Sequence, residues 1–325
     1  MTRWGLMATG GIARTFAQDL AHVPGASLVA VGSRSQQKAD AFADEFDVPN
    51  RHASYADLAA DPEVDAVYVS PPHPFHHEAT LLALRGGKAV LCEKPFAMSR
   101  AESREMVDQA RSSGTLLVEA MWTRFLPTMV RVREILAAGT LGEIVYVTAE
   151  HGQWFAEDAS HRLFAPSLGG GALLDLGIYP ISFVHMVLGA PARITAVSDP
   201  AFTGVDKTTS AVLQYDSGAH AVVTTSLAAA SNNPAAIYGS EARLELDGWF
   251  YTPTSFRVTA HDGTVLESYE PPAGGRGMEH EAIEVGRCLD EGLTESPIMP
   301  LDDTLAVMAT MDEIRNQIGL DYSKL

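Results

Sequence analysis

The sequence predicts an α/β protein in two parts: an amino-terminal doubly wound parallel sheet, then an α+β domain with a large, mainly antiparallel open sheet. Three observations predict it. Strand-like and helix-like segments alternate over residues 1–121, alternation of period two dominates after Met121, and 325 residues exceed what one typical core organises. The expected division is residues 1–121 and 122–325, with the last helix able to pack back on the first part.

Arg3 to Met7 reads as the first strand, and a glycine-containing turn opens a helix over Ile12–Ala21. Ser27–Val31 makes the second strand and Gln36–Phe46 a polar helix. Ala66–Val69 is a third, buried strand; Pro71-Pro72-His73-Pro74 breaks it, because proline fixes φ and removes a backbone donor. A helix over His76–Arg85 stops at Gly86-Gly87, and the Val90-Leu91 strand follows. Helix Arg100–Ser112 and strand Leu116–Glu119 complete the first half. A helix over Thr128–Ala138 ends near Gly139 and Gly142. Ile144–Glu150, Ile194–Val197, Ser210–Tyr215 and Ala219–Leu227 then alternate as strands, with shorter runs to Leu266. Asp216-Ser217-Gly218 has the turn chemistry of a hairpin over Ser210–Leu227. Pro271–Gly277 is a loop, and amphipathic helices over Met278–Glu291 and Asp302–Ile318 close the chain.

Composition narrows the function. Asp and Glu outnumber Lys and Arg by 41 to 23, so no basic face can be assembled and nucleic acid is not expected as a partner. Cys92 and Cys288 are too few for a disulfide framework and fit a reducing cytosol. No run approaches the length of a transmembrane helix, and the first residues lack a signal peptide's layout. A cytoplasmic protein without a membrane partner is expected. His151, Asp158, His161 and His185 are scattered without zinc-ligand spacing, so no metal is expected.

Ala8-Thr-Gly10-Gly11-Ile12-Ala13 follows the first strand and opens a helix, the context of a dinucleotide fingerprint. Gly10 lets backbone approach a pyrophosphate, Ala13 permits close helix–sheet packing, and the helix start supplies free N–H groups. Ala8 stands where the first glycine is usual, and a plain tight turn is the competing reading. Strand two ends in Gly32-Ser33-Arg34-Ser35 with no carboxylate for ribose hydroxyls. Ser33 and Arg34 can instead donate to a 2′-phosphate, which favours NADP over NAD; an exposed loop arginine is the alternative.

Ala89-Val-Leu-Cys92-Glu93-Lys94-Pro95 is an apolar strand that closes on a carboxylate, an amine and a proline, where ligands bind in open α/β sheets. A strand exit with a surface ion pair competes with this reading. Asp175 and Tyr179 are four apart and share a face on a helix. A lysine beside Tyr179 would lower the phenol's pKa and let it exchange a proton with a hydroxyl, Asp175 orienting substrate or lysine. A buried tyrosine bonded to a capping aspartate is the alternative.

With these motifs in order the chain resembles the Gfo/Idh/MocA (glucose–fructose oxidoreductase/inositol dehydrogenase) superfamily over nearly its whole length. The match runs through Arg3-Trp-Gly-Leu with Gly10-Gly-Ile-Ala13, Glu93-Lys94-Pro95, and Gly169-Gly-Gly-Ala-Leu-Leu-Asp175-Leu-Gly-Ile-Tyr179. Glu119-Ala-Met-Trp-Thr-Arg-Phe125 and His73-Pro-Phe-His76 resemble its branch of dimeric dihydrodiol dehydrogenases and NADP-dependent D-xylose dehydrogenases. The resemblance implies a Rossmann domain binding NADP, with NAD also possible, and a second domain that binds substrate and forms a homodimer through its sheet. It implies that Lys94 and Tyr179 are the acid/base pair, with Asp175 in the same site, and that the bond before Pro95 is cis. Ser70, Pro71, His73, His76, Glu93, Trp122 and Arg124 would lie along the cofactor. Trp122, Phe125, His151, Trp154, Arg162 and Phe164 would line a pocket for a sugar, polyol or trans-dihydrodiol. Such an enzyme moves hydride between NADP and the hydroxyl carbon. The rival readings are an inositol or anhydrosugar dehydrogenase or reductase of the same superfamily, and a non-catalytic NADP-binding sensor.

Overall fold

A computed structural model of the chain describes every residue except Ala273, which lies within the expected Pro271–Gly277 loop and outside the described residues. Two compact units emerge: Met1–Phe125 with Gly275–Leu305, and Leu126–Gly274 with Ala306–Leu325.

The first unit follows the alternating pattern. Its elements are β1 (Thr2–Met7), α1 (Gly11–Leu20), β2 (Ala26–Gly32), α2 (Gln36–Phe46), β3 (Asn50–His52), α3 (Tyr55–Ala59), β4 (Ala66–Val69), α4 (His76–Arg85), β5 (Ala89–Glu93), α5 (Arg100–Ser113) and β6 (Leu117–Ala120). Every strand pair is parallel, in the order β3-β2-β1-β4-β5-β6. The order reverses at β1/β4, so their carboxyl ends open the crevice where such sheets take ligands. β4 and β5 are buried along their whole length, as strands covered on both faces must be. Trp4, Phe16 and Tyr68 form an aromatic stack in this core, with Phe16 and Tyr68 rings 3.9 Å apart. Helix starts are set by side chains: Ser54 accepts from the Asp57 N–H at 3.1 Å and Ser99 from the Glu102 N–H at 3.2 Å. The sequence reading omits β3 and α3, which are too short to show a period.

The second unit contains α6 (Pro127–Ala137), β7 (Ile144–Gly152), α7 (Ile178–Leu188), β8 (Arg193–Pro200), β9 (Asp206–Gln214), β10 (His220–Ser226), β11 (Ala235–Gly239), β12 (Ala242–Leu246), β13 (Phe256–Ala260) and β14 (Val265–Tyr269). They form an eight-stranded sheet ordered β14-β13-β12-β11-β7-β10-β9-β8. Neighbours are antiparallel except β7 and β10, which run parallel at the centre. The expected β9–β10 hairpin is present, turned at residues 215–218. Alternation sorts the faces: Val147, Ala149, Ala221 and Val223 are buried on the side that α7 covers, while Val212 and Val222 are exposed on the other.

Two helices close the chain. α8 (Glu279–Asp290) belongs with the first unit, where the Met278 N–H donates to Asp19 at 3.1 Å. α9 (Leu301–Ile318) begins there, and its residues from Ala306 belong to the second unit. One expectation needs correcting. The helical stretch Pro166–Leu188 is 23 residues long and apolar enough by composition to cross a membrane. It is 83% buried over its most apolar window, which makes it a core helix of this fold.

Candidate functional site

In the first unit, the candidate residues gather at the carboxyl ends of β1, β2, β4 and β5. Ala8 takes the left-handed backbone that the fingerprint's first glycine would hold, with φ +91°. Gly10 is the N-cap of α1 and has no side chain closing the helix start. A Cβ built on Gly10 or Gly11 meets nothing within 4 Å, so open space stands over the uncapped N–H groups. Ile12 is exposed beside them and Ala13 is fully buried, the spacing that lets α1 press on the sheet.

At the end of β2, Ser33 donates its N–H to His52 at 3.1 Å, and its Oγ accepts from the Ser35 N–H at 3.4 Å. The Arg34 guanidinium is exposed and lies 5.0 Å over the Phe75 ring. Tyr55, which the sequence reading passed over, faces Arg34: burial raises its phenol pKa and the guanidinium opposes that rise. At the end of β4, Ser70 Oγ donates to the Met7 carbonyl at 3.1 Å and fastens Ser70 and Pro71 beside the glycine turn.

His76 is buried between two carbonyls, with Nδ1 2.8 Å from Pro95 O and Nε2 2.8 Å from Pro71 O. Burial, with His73 and Lys94 nearby, lowers its pKa to about 3, so the ring is neutral and donates to one of the two. It ties the Pro71 loop to the Glu93-Lys94-Pro95 loop, whose Lys94–Pro95 bond is cis. His73 is also buried, 5.7 Å from His76 between ring centroids. Glu93 is held by Tyr68 Oη, which donates to Oε1, and by the Lys94 N–H at 3.1 Å. Lys94 itself is half-buried. Trp122, Arg124 and Phe125 are buried after β6, and Arg124 lies 3.6 Å from Asp303. Beside Arg124, burial raises the Glu119 carboxyl to about 7 although Thr304 donates to it at 2.8 Å. Arg124 thus helps balance a buried acid.

In the second unit, the residues after β7 and those leading into α7 converge. Leu173–Gly177 is a π-helical turn, wider than an α-turn, a feature found mostly at functional sites. It carries Asp175 and runs directly into α7, whose first turn carries Tyr179; both side chains are buried. Asp175 takes a forked pair from Arg162, Nη1 to Oδ1 at 2.8 Å and Nη2 to Oδ2 at 3.1 Å. Tyr179 lies in a cluster of rings: His151 meets it edge-on at 5.2 Å and Tyr251 is 5.1 Å away. His151 and Tyr251 stack on each other at 4.0 Å, and Gln153 Nε2 reaches both, 2.9 Å from His151 Nε2 and 3.1 Å from Tyr251 Oη. The fold therefore brings His151 against Tyr179 and Arg162 against Asp175. Tyr251 and Gln153 join them without having been singled out, since Tyr251 lies in a turn region 72 positions from Tyr179 with no periodic signal.

Trp154 and Phe164 stand apart from that ring cluster. They line a cleft of about 220 Å³ together with Phe155, Glu157, Lys207 and Leu227. Phe164 is fully buried in the apolar cluster of Leu163, Leu176, Val205 and Leu227, whereas Trp154 is two-thirds exposed.

Two family models match the chain. Residues 2–120 match an oxidoreductase family with an NAD-binding Rossmann fold, and residues 129–245 match the GFO/IDH/MocA C-terminal domain. Among curated proteins, a trans-1,2-dihydrobenzene-1,2-diol dehydrogenase of Bos taurus is 40% identical and that of Homo sapiens 38%, each alignment covering 98% of both chains. Among solved structures, a 3-ketoreductase from Actinomadura kijaniata, crystallised with NADP and TDP-benzene, superposes with TM-score 0.85 at 28% identity over 98% of both chains. An aldose–aldose oxidoreductase from Caulobacter crescentus shares the fold, with TM-score 0.88 at 24% identity over 97% of both chains.

Proposed function

From the chain's membership in the GFO/IDH/MocA oxidoreductase family, which both family models and the full-length relatives establish, we propose that it is an NADP-dependent dehydrogenase of trans-dihydrodiols or sugars. The observation that carries the reading is 40% identity, over 98% of both chains, to a trans-1,2-dihydrobenzene-1,2-diol dehydrogenase. The relatives named above are dehydrogenases, reductases and oxidoreductases, and favour neither the sensor nor the inositol reading.

The residues of the first unit fit a dinucleotide. Gly10 and Gly11 leave room for a diphosphate against the open start of α1, and Arg34 and Ser33 supply donors for a 2′-phosphate. The nicotinamide, when bound, supplies the acceptor for hydride. The chain's own work is proton transfer and positioning. Tyr179 takes the substrate hydroxyl proton as hydride leaves the carbon, and gives it back in the reverse reaction. Lys94 favours the phenolate by its positive charge. This pairing carries over from the family resemblance of the two motifs. Asp175, held by Arg162, orients the substrate or Lys94. The His151 and Tyr251 rings offer a flat, amphipathic wall for a ring-shaped substrate.

The second unit also supports the homodimer. Tyr146, Val197, Val212 and Val222 share the uncovered face of its sheet, and Tyr146 stacks on Tyr238 at 4.2 Å. An apolar face of this kind suits a second copy. Sedimentation should then give a mass near twice the 34.8 kDa of one chain, and a monomer at micromolar concentration would remove the proposal. Free, buried Cys92 and Cys288 suit a cytosolic protein.

The enzymatic reading is tested by initial rates of nicotinamide absorbance across trans-dihydrodiols, aldoses and inositols, each with NADP and with NAD. Rapid NADP reduction by a diol or an aldose is the expected result. Tight NADP binding with no turnover across the panel would sink it.

A further inference from the structure

We propose that Asp206 is a positioning residue for the segment that carries Asp175 and Tyr179, clasping it through the Leu173 N–H; the inference rests on the role given to Tyr179 above. Asp206 opens β9 and is 2% exposed. Its Oδ2 accepts from the Leu173 N–H at 2.7 Å and from Thr209 Oγ1 at 2.9 Å. Its Oδ1 has no hydrogen-bond partner among the described residues, and it occupies the space where a Cβ on Gly171 would fall, 2.2 Å away. Gly171 also has φ +121°, so that glycine is required both by its backbone and by the carboxylate pressed against it.

The clasp sits at the start of the π-helical turn, where helical N–H groups lack partners of their own. A buried carboxylate there satisfies one of them and meets the positive end of the helix. π-Turns are rare because α-geometry bonds better, so a five-residue π segment needs an outside anchor to persist. Were it to wind back by one residue, side chains beyond it would rotate by about 100° around the helix axis. Tyr179 would then leave the His151 and Tyr251 rings. Two further bonds hold the turn: the Gly171 N–H donates to Leu163 O at 2.8 Å, and Tyr322 Oη donates to Gly170 O.

Asp206 is a carboxylate at some cost. Burial raises its pKa to about 6, against the pull of the Leu173 and Thr209 bonds and of Arg315 on α9. Tyr322, raised by burial and by Asp206, is the other titratable group facing it, under the Arg315 guanidinium at 5.1 Å; Arg315 in turn donates to Asp312 at 3.3 Å. Between the ordinary carboxylate range and about 6 the folded chain holds a proton that the unfolded chain has released, so stability falls as pH rises through that window and is level above it. Below about 6 the protonated acid is the weaker acceptor, and the clasp loosens.

The experiment compares wild type, Asp206→Asn and Asp206→Ala by amide hydrogen exchange and by kcat against pH. Asp206→Ala should speed exchange over residues 171–179 by about tenfold or more and lower kcat by a similar factor, with NADP affinity unchanged. Asp206→Asn keeps an acceptor and the shape. It should fold, retain most activity at neutral pH, and lack a fall in kcat near pH 6 that wild type shows. Unchanged exchange over 171–179 in Asp206→Ala overturns the clasp whatever the substrate is, and so separates its failure from failure of the dehydrogenase reading. An identical acid limb in wild type and Asp206→Asn would show that the titrating group lies elsewhere and would overturn the pH dependence.

Discussion

Lys94→Ala should lower kcat by about 10²- to 10⁴-fold while leaving the NADP dissociation constant within about a factor of three. The size follows from the role proposed for the pair: a phenol without a neighbouring amine has an ordinary pKa of ~10 and rarely offers a phenolate at neutral pH. Tyr179→Phe should cost a similar factor, and the double variant little more than either single one, because residues that act as one unit are not additive. The half-buried position of Lys94, after a Glu93 fixed by Tyr68, predicts little change in folding. Single-turnover rates with preloaded NADP and fluorescence titration of NADP check both halves. Equal loss of binding and turnover would show that Lys94 is structural.

Arg34→Asp should weaken NADP by about 10²-fold relative to NAD. On the 2′-phosphate assignment proposed for Arg34, the substitution would remove a charge-assisted contact worth roughly 1.5–3 kcal/mol and place a carboxylate where the phosphate would lie. Arg34 is exposed, lying over the ring of Phe75 and facing Tyr55, and it forms no part of the core, so folding should not suffer. The new carboxylate could also accept from ribose hydroxyls, which would raise NAD affinity as NADP affinity falls. The ratio of kcat/KM for the two cofactors measures the switch. An unchanged ratio would remove the 2′-phosphate assignment and leave Arg34 as a stacking group.

Much of the first unit is legible in the sequence because each element is announced locally. Gly86-Gly87 stops α4, Pro71-Pro72 ends β4, and the apolar runs of β4 and β5 can only be buried strands. β3 and α3 escape because Asn50–His52 and Tyr55–Ala59 are each too short to complete two periods of their own pattern. That α8 belongs with the first unit is invisible for another reason: the contact of Met278 with Asp19 joins residues 259 positions apart. The same distinction divides the candidate site. Asp175 and Tyr179 announce themselves by spacing, but the π-turn that contains Asp175 does not, since nothing in Leu-Leu-Asp-Leu-Gly distinguishes five-residue from four-residue bonding. Tyr251 and Asp206 reach the site through strand pairing and turns. The motif resemblance points to His151, yet its stacking on Tyr251 depends on β11 pairing with β7 and β12 with β11.

The parallel pairing of β7 with β10 at the centre of the second sheet has a kinetic consequence. Antiparallel neighbours can zip from a tight turn, whereas this ladder joins positions such as His151 and Thr225, 74 apart. Closing a loop of that length costs on the order of 4 kcal/mol in chain entropy before any contact repays it. The enclosed stretch contains Arg162, Asp175 and Tyr179, so the β7–β10 ladder forms only with that segment looped between its two strands. High sequence separation of this kind slows folding, and it ties the enclosure of that segment to a late, cooperative step. A chain that completes this ladder has already enclosed the segment that carries Asp175 and Tyr179.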